Sequence, residues 1–254
     1  MRVLGMPAAN AGPDMSGRGR TGGVRSPGPV VKVCGLTRKR DVLLAADLGA
    51  WAVGFIFARS PRRVSPGRAR ELARALRAAR TRGTGPLVVG VFADQPPEEV
   101  ARVVSEVGLD AVQLHGEESP YQVGRICSAT GAALVIKVIS VEHGTAAAAG
   151  ITARVRAVAS TVDAVLLDSK VRDRIGGTGV SFKWELARPV AGLLPVLVAG
   201  GIGPGNAATA LATSGAWGID VNSGVEAAPG IKDEGLLRGL FAAVNQYRRE
   251  KGIS

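Results

Sequence analysis

The chain has 254 residues, of which 46% are hydrophobic and 4% aromatic, and this length fits one large α/β barrel or two small domains. No apolar run approaches the roughly 18 residues of a transmembrane helix, and the two cysteines, Cys34 and Cys127, exclude a disulfide framework, which indicates a cytoplasmic protein. The formal charge of +11 comes mostly from arginines scattered over helical segments without interleaved aromatic residues, so we expect a small anionic substrate and no nucleic-acid or membrane partner.

The amino-terminal segment, residues 1–29, differs from the rest of the chain. It is rich in glycine, proline, arginine, alanine and serine, and it shows no apolar periodicity. Such a segment cannot bury enough apolar surface to order itself, and it lacks the apolar core of a signal peptide. We therefore predict a disordered tail over 1–29 and one folded domain over 30–254.

Strand and helix signals alternate from Val30 to the end of the chain. The predicted strands are short and apolar: Val30–Cys34, Trp51–Phe57, Leu87–Phe92, Asp110–Leu114, Ala133–Val138, Asp163–Leu167, Pro195–Val198 and Trp217–Val221. A predicted helix follows each strand: Arg38–Leu48, Gly67–Arg82, Pro97–Val107, Pro120–Ala129, Ala153–Ser160, Phe182–Val190, Asn206–Thr213 and Asp233–Arg249. Eight such units with apolar strands predict an α/β fold, a single (β/α)8 TIM barrel. A doubly wound open sheet is the alternative, but no G-x-G-x-x-G motif follows the first strand.

In a closed barrel the carboxyl ends of all strands meet at one rim, and this rim carries the active sites of TIM-barrel enzymes. The polar residues at these ends are Cys34, Arg62, Asp94, His115, Asp168 and Asp220. The loops after strands six, seven and eight are rich in glycine, which lets backbone N–H groups approach an anion. They predict a phosphate site that uses Gly177, Gly200, Gly201, Ser223 and Gly224. The alternative for each loop is simple turn chemistry.

Cys34 and Asp168 are the candidate acid–base pair. They end strands one and six, so they can face each other across the barrel mouth, and such a pair suits the proton transfers of an isomerase. A free thiol is only a few per cent thiolate at pH 7. Lys32 has the same strand parity as Cys34, so its charge is expected to favour the thiolate. The alternatives are a small core residue for Cys34 and a helix cap or loop brace for Asp168.

Arg62 and His115 are candidate substrate-binding residues. Arg62 lies in the loop after strand two, where a guanidinium can hold a substrate carboxylate bidentately, although Arg59 and Arg63 compete for this role. His115 ends strand four, and donation of a hydrogen bond, direct acid–base work and bracing of the neighbouring loops are all open to it. The chain has only two histidines and no metal-ligand spacing, so we expect no metal site.

Seven short motifs in the chain recur together in one known enzyme family. They are Lys32-Val33-Cys34-Gly35-Leu36-Thr37, Ser60-Pro61-Arg62, Gln113-Leu114-His115-Gly116-Glu117, Leu166-Leu167-Asp168-Ser169, Gly176-Gly177-Thr178-Gly179, Ala199-Gly200-Gly201 and Asp220-Val221-Asn222-Ser223-Gly224-Val225-Glu226. No single motif is specific, but the seven together in this order are. From Val31 to about Val244 the chain resembles the phosphoribosylanthranilate isomerase family of tryptophan biosynthesis.

The resemblance implies an Amadori rearrangement of N-(5-phosphoribosyl)anthranilate to 1-(o-carboxyphenylamino)-1-deoxyribulose 5-phosphate. By analogy, Asp168 is the general acid that opens the furanose ring, and Cys34 is the general base that removes the C2 proton. Arg62 would bind the anthranilate carboxylate, and the loops after strands six, seven and eight the phosphate. The reaction needs no cofactor or metal, and we expect a monomer or homodimer.

Three other functions remain open at this point. The first is another phosphosugar barrel, such as the aminoimidazole carboxamide ribotide isomerase of histidine synthesis or a dual-substrate enzyme. These resemble two half-barrels with an aspartate near the start of each, whereas strand one here ends in Cys34. The second is a basic nucleic-acid-binding protein on a barrel scaffold, which would show salt-sensitive binding. The third is a catalytically idle paralogue.

Overall fold

The structure is a computed structural model of the chain and describes residues 28–79, 85–131, 133–142, 148–170 and 183–253. Eight parallel strands form a closed barrel in sequence order, with the last strand pairing with the first. They are β1 (Val30–Val33), β2 (Ala52–Ile56), β3 (Leu87–Phe92), β4 (Ala111–Leu114), β5 (Leu134–Glu142), β6 (Ala164–Lys170), β7 (Val196–Val198) and β8 (Gly218–Val221). The predicted (β/α)8 barrel is therefore confirmed. The predicted disordered tail lies outside the described residues as far as residue 27.

Seven α-helices surround the barrel in the described part of the chain. They are α1 (Lys39–Asp47), α2 (Pro66–Ala79), α3 (Pro97–Val107), α4 (Pro120–Thr130), α5 (Ala148–Val158), α6 (Ala207–Ser214) and α7 (Glu234–Glu250). Two short 3-10 helices, Trp184–Ala187 and Ser223–Val225, follow β6 and β8, and a two-stranded antiparallel hairpin, β9 (Glu226–Ala228) and β10 (Ile231–Lys232), precedes α7. None of the helices described has the length and hydrophobicity needed to cross a bilayer.

The helix predicted over Phe182–Val190 is the element that the structure corrects. Within the described residues this region forms only the 3-10 helix Trp184–Ala187 followed by turns. Pro189 has no backbone N–H, so it cannot donate the helical hydrogen bond to Glu185, whose carbonyl instead accepts from Arg188 in the 3-10 pattern. Lys183 precedes the first turn and provides no side-chain cap. The described part of the sixth crossover therefore carries a 3-10 helix and turns in place of an α-helix.

The core has two layers because the strand residues alternate between the two faces of the barrel wall. Outward-facing residues, such as Val31 and Val33 of β1, pack against the helices in the larger hydrophobic cluster. Inward-facing residues, such as Val30 and Leu166, fill the lower barrel interior. The inward row of β1 then continues upward to Lys32, which is fully buried. The interior is thus apolar at its amino-terminal end and polar just below the rim.

The first and last units are joined at the amino-terminal end of the barrel by two tryptophans. Trp51 precedes β2 and Trp217 precedes β8, on either side of β1. Their ring centroids lie 4.8 Å apart at an interplanar angle of 79°, an edge-to-face contact. The backbone of both residues also bonds to β1, since Val30 N–H donates to Trp217 and Trp51 N–H donates to Val31. This contact closes the barrel at the end opposite the functional rim.

Candidate active site

A cavity of about 280 Å³ opens at the carboxyl ends of the strands. All eight predicted site residues that fall within the described ranges line it: Cys34, Arg62, His115, Asp168, Gly200, Gly201, Ser223 and Gly224. Gly177, the ninth, lies outside the described residues. Residues from β1, the loop after β2, β4, β6 and the loops after β7 and β8 thus meet in one pocket, which is where small-molecule sites of TIM barrels are found.

Cys34 follows β1 directly and is 4% exposed, in contact with Ile56 and Val91 at the top of the barrel interior. Gly54 on the neighbouring β2 leaves the space that the thiol fills, because a Cβ at this position would lie 2.8 Å from Sγ. Burial raises the pKa of the Cys34 thiol. Burial therefore favours the neutral thiol over the thiolate at this position.

Lys32 lies one inward position below Cys34 and is fully buried. Its Nζ donates a hydrogen bond of 2.7 Å to Asp220, its register partner on β8. Burial alone would lower the pKa of Lys32, but the charges of Asp220 and Cys34 and the hydrogen bonds to both side chains together outweigh burial and raise it. Lys32 in turn acts to lower the pKa of Cys34, as the sequence predicted, but burial and Asp220 outweigh it. The charge of Lys32 therefore acts in the expected direction, while burial and Asp220 decide the net shift of the Cys34 pKa.

Asp168 lies on β6 with its side chain 15% exposed, and its nearest described ionisable partner is His115. His115 Nε2 is 3.4 Å from Asp168 Oδ2, and its Nδ1 is 3.3 Å from the amide nitrogen of Gln113. Gln113 is 1% exposed, and its Oε1 has no hydrogen-bond partner among the described residues. The β4 residues thus orient an imidazole toward the candidate acid, a contact that the Gln-x-His spacing alone did not reveal.

The loop that carries His115 is fixed by a buried ion pair beneath it. Lys137 on β5 donates to Glu118 at 2.6 Å and to the carbonyl of Gly116 at 2.8 Å. Glu118 Oε1 accepts from the backbone N–H groups of Asp94 and Gly116 at 3.0 and 3.1 Å. Both charged side chains are no more than 6% exposed. The loops after β3 and β4 are therefore held together from below, next to the cavity wall.

Arg62 lines the cavity and also forms an ion pair with Glu226 of the protein itself. Its Nε lies 3.0 Å from both carboxylate oxygens of Glu226, and its Nη2 lies 2.7 Å from Oε2. Lys232 donates to the same carboxylate at 2.8 Å. Burial alone would raise the pKa of Glu226, but the hydrogen bonds and charges of Arg62 and Lys232 outweigh it and lower this pKa. Sequence reasoning did not assign Glu226 or Lys232 a role.

The loops after β7 and β8 touch each other at the cavity. A Cβ on Gly224 would collide with the backbone carbonyl of Ile202, and a Cβ on Gly203 would lie 2.9 Å from the carbonyl oxygen of Gly224. Only residues without side chains allow this approach. Asn206 holds the first loop by accepting from Gly203 N–H at 2.8 Å and donating to Gly201 at 2.9 Å. The two glycine loops thus form one continuous backbone surface.

Comparison with known proteins matches this architecture to one enzyme family. The family described as N-(5'phosphoribosyl)anthranilate (PRA) isomerase matches residues 31–243. The chain belongs to the phosphoribosylanthranilate isomerase family. It is 44% identical over 214 residues to the N-(5'-phosphoribosyl)anthranilate isomerase of Rubrobacter xylanophilus, covering 84% of this chain and 97% of that protein. It is 40% identical over 219 residues to that of Syntrophus aciditrophicus, covering 86% and 88%.

Solved structures give the same result for this isomerase. The crystal structure of phosphoribosyl anthranilate isomerase from Thermus thermophilus superposes with a TM-score of 0.72 at 39% identity, covering 86% of this chain and all of that chain. A phosphoribosyl anthranilate isomerase in complex with reduced 1-(o-carboxyphenylamino)-1-deoxyribulose 5-phosphate gives a TM-score of 0.70 at 31% identity, covering 86% and 99%. These matches confirm the predicted family and, with it, the isomerase activity in tryptophan biosynthesis.

Proposed function

We propose that Cys34 and Asp168 carry out the two proton transfers of the Amadori rearrangement in this cavity. The observation that carries the proposal is their placement: they project from β1 and β6 into the same pocket, with the glycine loops beside them. A base and an acid on different walls can act on different atoms of one bound sugar without competing for the same proton. The assignment of each role follows the family resemblance.

In the first step, Asp168 donates its proton to the furanose ring oxygen of N-(5-phosphoribosyl)anthranilate. The bond between C1 and the ring oxygen breaks, and the electron pair of the anilino nitrogen forms the cationic Schiff base. This step requires a protonated carboxyl group at the start. His115 Nε2, 3.4 Å from Asp168 Oδ2, is the described side chain that orients this carboxyl group.

In the second step, Cys34 removes the proton on C2 as a thiolate. The cationic Schiff base takes up the electron pair, which makes this proton acidic and gives an enolamine that tautomerises to the ketone. The electron sink is therefore part of the substrate, and no step requires a cofactor or metal. Because burial raises the pKa of Cys34, the bound substrate must supply part of the thiolate stabilisation.

The remaining predicted residues bind the two ends of the substrate. Arg62 supplies a guanidinium for the anthranilate carboxylate, and Gly200, Gly201, Ser223 and Gly224 supply backbone N–H groups for the phosphate. A monomeric or homodimeric state, a cytoplasmic location and the lack of a nucleic-acid partner stay predictions of the sequence analysis.

The direct test follows the fluorescence of the anthranilate group during turnover of N-(5-phosphoribosyl)anthranilate. Cys34→Ser and Asp168→Asn should each lower kcat by at least about a hundredfold, the usual contribution of a general acid or base. Cys127→Ser is the matched control, because this second cysteine lies on α4 away from the cavity, and it should leave kcat unchanged. Full activity in both active-site variants would refute the assignment.

The same preparations discriminate the other functions. Turnover of the aminoimidazole carboxamide ribotide precursor would indicate a dual-substrate enzyme, and an inactive wild-type chain would indicate an idle paralogue. A nucleic-acid-binding protein would instead show salt-sensitive binding that Cys34→Ala leaves unchanged.

A further inference from the structure

We propose that Glu226 and Lys232 are positioning residues that aim one edge of the Arg62 guanidinium at a substrate carboxylate and keep that edge positively charged. The three side chains form a buried triad at the cavity, referred to below as the arginine clamp. The proposal rests on the proposed function of Arg62 and adds the reason why this arginine selects an aromatic carboxylate.

The geometry of the Arg62 guanidinium leaves one of its edges for a ligand. It carries five N–H donors arranged in two edges that can each receive a carboxylate: Nε with Nη2, and Nη1 with Nη2. Glu226 occupies the first edge, at 3.0 Å from Nε and 2.7 Å from Nη2. Among the described residues no protein group accepts a hydrogen bond from Nη1 of Arg62. The second edge is therefore the one left for a ligand in the cavity that Arg62 lines.

The charge of the clamp also favours a carboxylate ligand. Arg62 and Glu226 alone would be neutral and would attract a carboxylate only weakly. Lys232 adds a second cation, with its Nζ 2.8 Å from Glu226 Oε1 and its side chain fully buried. Burial lowers the pKa of Lys232, against the charge and hydrogen bond of Glu226, whereas Arg62 and Lys232 lower the pKa of Glu226. With Lys232 protonated, the clamp carries a net charge of one positive unit.

The clamp is rigid, because Glu226 and Lys232 are each tied to further parts of the fold. Glu226 also accepts from Gly230 N–H within the β9–β10 hairpin at 3.1 Å. Lys232 donates to the carbonyl and side-chain oxygens of Asn222, each at 3.0 Å, and its backbone N–H donates to Asp41 at 3.1 Å. Asn222 belongs to the loop predicted to bind phosphate. The β9–β10 hairpin thus fixes the arginine proposed to bind the substrate carboxylate relative to the loop proposed to bind the substrate phosphate.

The geometry leads to a specific expectation about substrates. A rigid, charged guanidinium edge should favour a phosphoribosyl amine whose aromatic ring bears a carboxylate over one whose ring lacks it. The preference should depend on Glu226 and Lys232 even though neither would touch the ligand. A merely structural role would instead weaken both ligands equally.

The test is calorimetric binding, which does not depend on turnover. The two probes are reduced 1-(o-carboxyphenylamino)-1-deoxyribulose 5-phosphate and its counterpart without the carboxylate. The wild-type chain should prefer the carboxylated probe by roughly a hundredfold, and Glu226→Gln should reduce this preference about tenfold, as expected for lost hydrogen bonds to a charged group. Affinity for the probe without the carboxylate should stay unchanged. Glu234→Gln, an exposed glutamate at the start of α7, is the matched control.

A second pair of variants tests the charge separately from the geometry. Lys232→Met should reduce the preference, and Lys232→Arg should retain most of it because the charge is kept. Thermal unfolding of each variant confirms that it is folded. Equal losses for both probes, or an unchanged preference in both Glu226→Gln and Lys232→Met, would overturn the inference. A wild-type chain that binds neither probe would instead overturn the proposed function itself.

Discussion

Replacing Lys137 with methionine tests how the loop that carries His115 is held at the rim. The substitution leaves the carboxylate of Glu118, 2% exposed, without its cation at 2.6 Å, and it removes the donor to Gly116. Removal of one partner from a buried ion pair costs about 3–5 kcal/mol, because an uncompensated charge remains in the interior. With a urea m-value of about 3 kcal/mol/M, the unfolding midpoint should fall by roughly 1–1.7 M.

The assay is urea unfolding followed by far-UV circular dichroism. Methionine keeps the length and much of the apolar volume of the lysine, so the cavity term is small. The exposed i, i+4 pair of Arg238 and Glu234 is the control, because Arg238→Met should cost no more than about 0.5 kcal/mol. Since the loop carries His115, kcat/KM of the Lys137 variant should also fall, by roughly ten- to a hundredfold.

A double-mutant cycle shows whether the two charges are coupled. Glu118→Gln keeps an oxygen that can accept from the backbone N–H groups of Asp94 and Gly116 while removing the charge. The double variant with Lys137→Met should therefore be more stable than the sum of the single effects predicts, by about 1–3 kcal/mol. Additive effects, or a Lys137→Met variant as stable as the wild type, would refute the assignment of the pair as the anchor of this loop.

Three further predictions concern titration and the glycine loops. Burial raises the pKa of Cys34, so in a Cys127→Ser background its alkylation by iodoacetamide should become fast only above the ordinary thiol range near pH 8.5. Rapid alkylation at pH 7 in the unliganded enzyme would contradict this. The cationic partners of Glu226 outweigh its burial and lower its pKa, so its contribution to stability is present above the unfolded-state value of about 4.3 and is lost as the pH falls below it. Glu226→Gln should flatten the acid side of the unfolding free energy plotted against pH, and an unchanged slope would contradict the ion pair. A Cβ on Gly224 would collide with the loop after β7, so Gly224→Ala should weaken the binding of inorganic phosphate several-fold in calorimetry, whereas Gly205→Ala, with open space around it, should not. Equal affinities in the two variants would argue against the loop surface as the phosphate site.

The barrel fold and the residues at its rim could be predicted from the sequence, because both depend on local patterns. Alternating strand and helix signals specify the eight units, and a residue such as Cys34 or Asp168 is placed at the rim simply by ending a strand. Their convergence in one cavity then follows from closure of the sheet. The prediction of a helix after β6 is wrong because the apolar pattern of this segment does not show the effect of Pro189, which interrupts the hydrogen-bond ladder.

The partners of the site residues were not predictable in the same way. Glu226 binds Arg62, which lies 164 residues earlier in the chain, and Lys137 on β5 binds Glu118 in the loop after β4. Each charge is visible in the sequence, but the pairing depends on how separate loops fold over the rim. The net pKa direction of Cys34 likewise depends on burial, whose extent the strand pattern does not reveal.

Closure of the barrel can be followed spectroscopically through the tryptophan pair at its amino-terminal end. Trp51 and Trp217 come from opposite ends of the chain and contact each other only when β8 has docked beside β1. Two indoles 4.8 Å apart should give a coupled circular dichroism signal that neither ring gives alone. The pair lies at the end of the barrel remote from the cavity, so this signal would report closure of the β-barrel separately from ligand binding in the cavity.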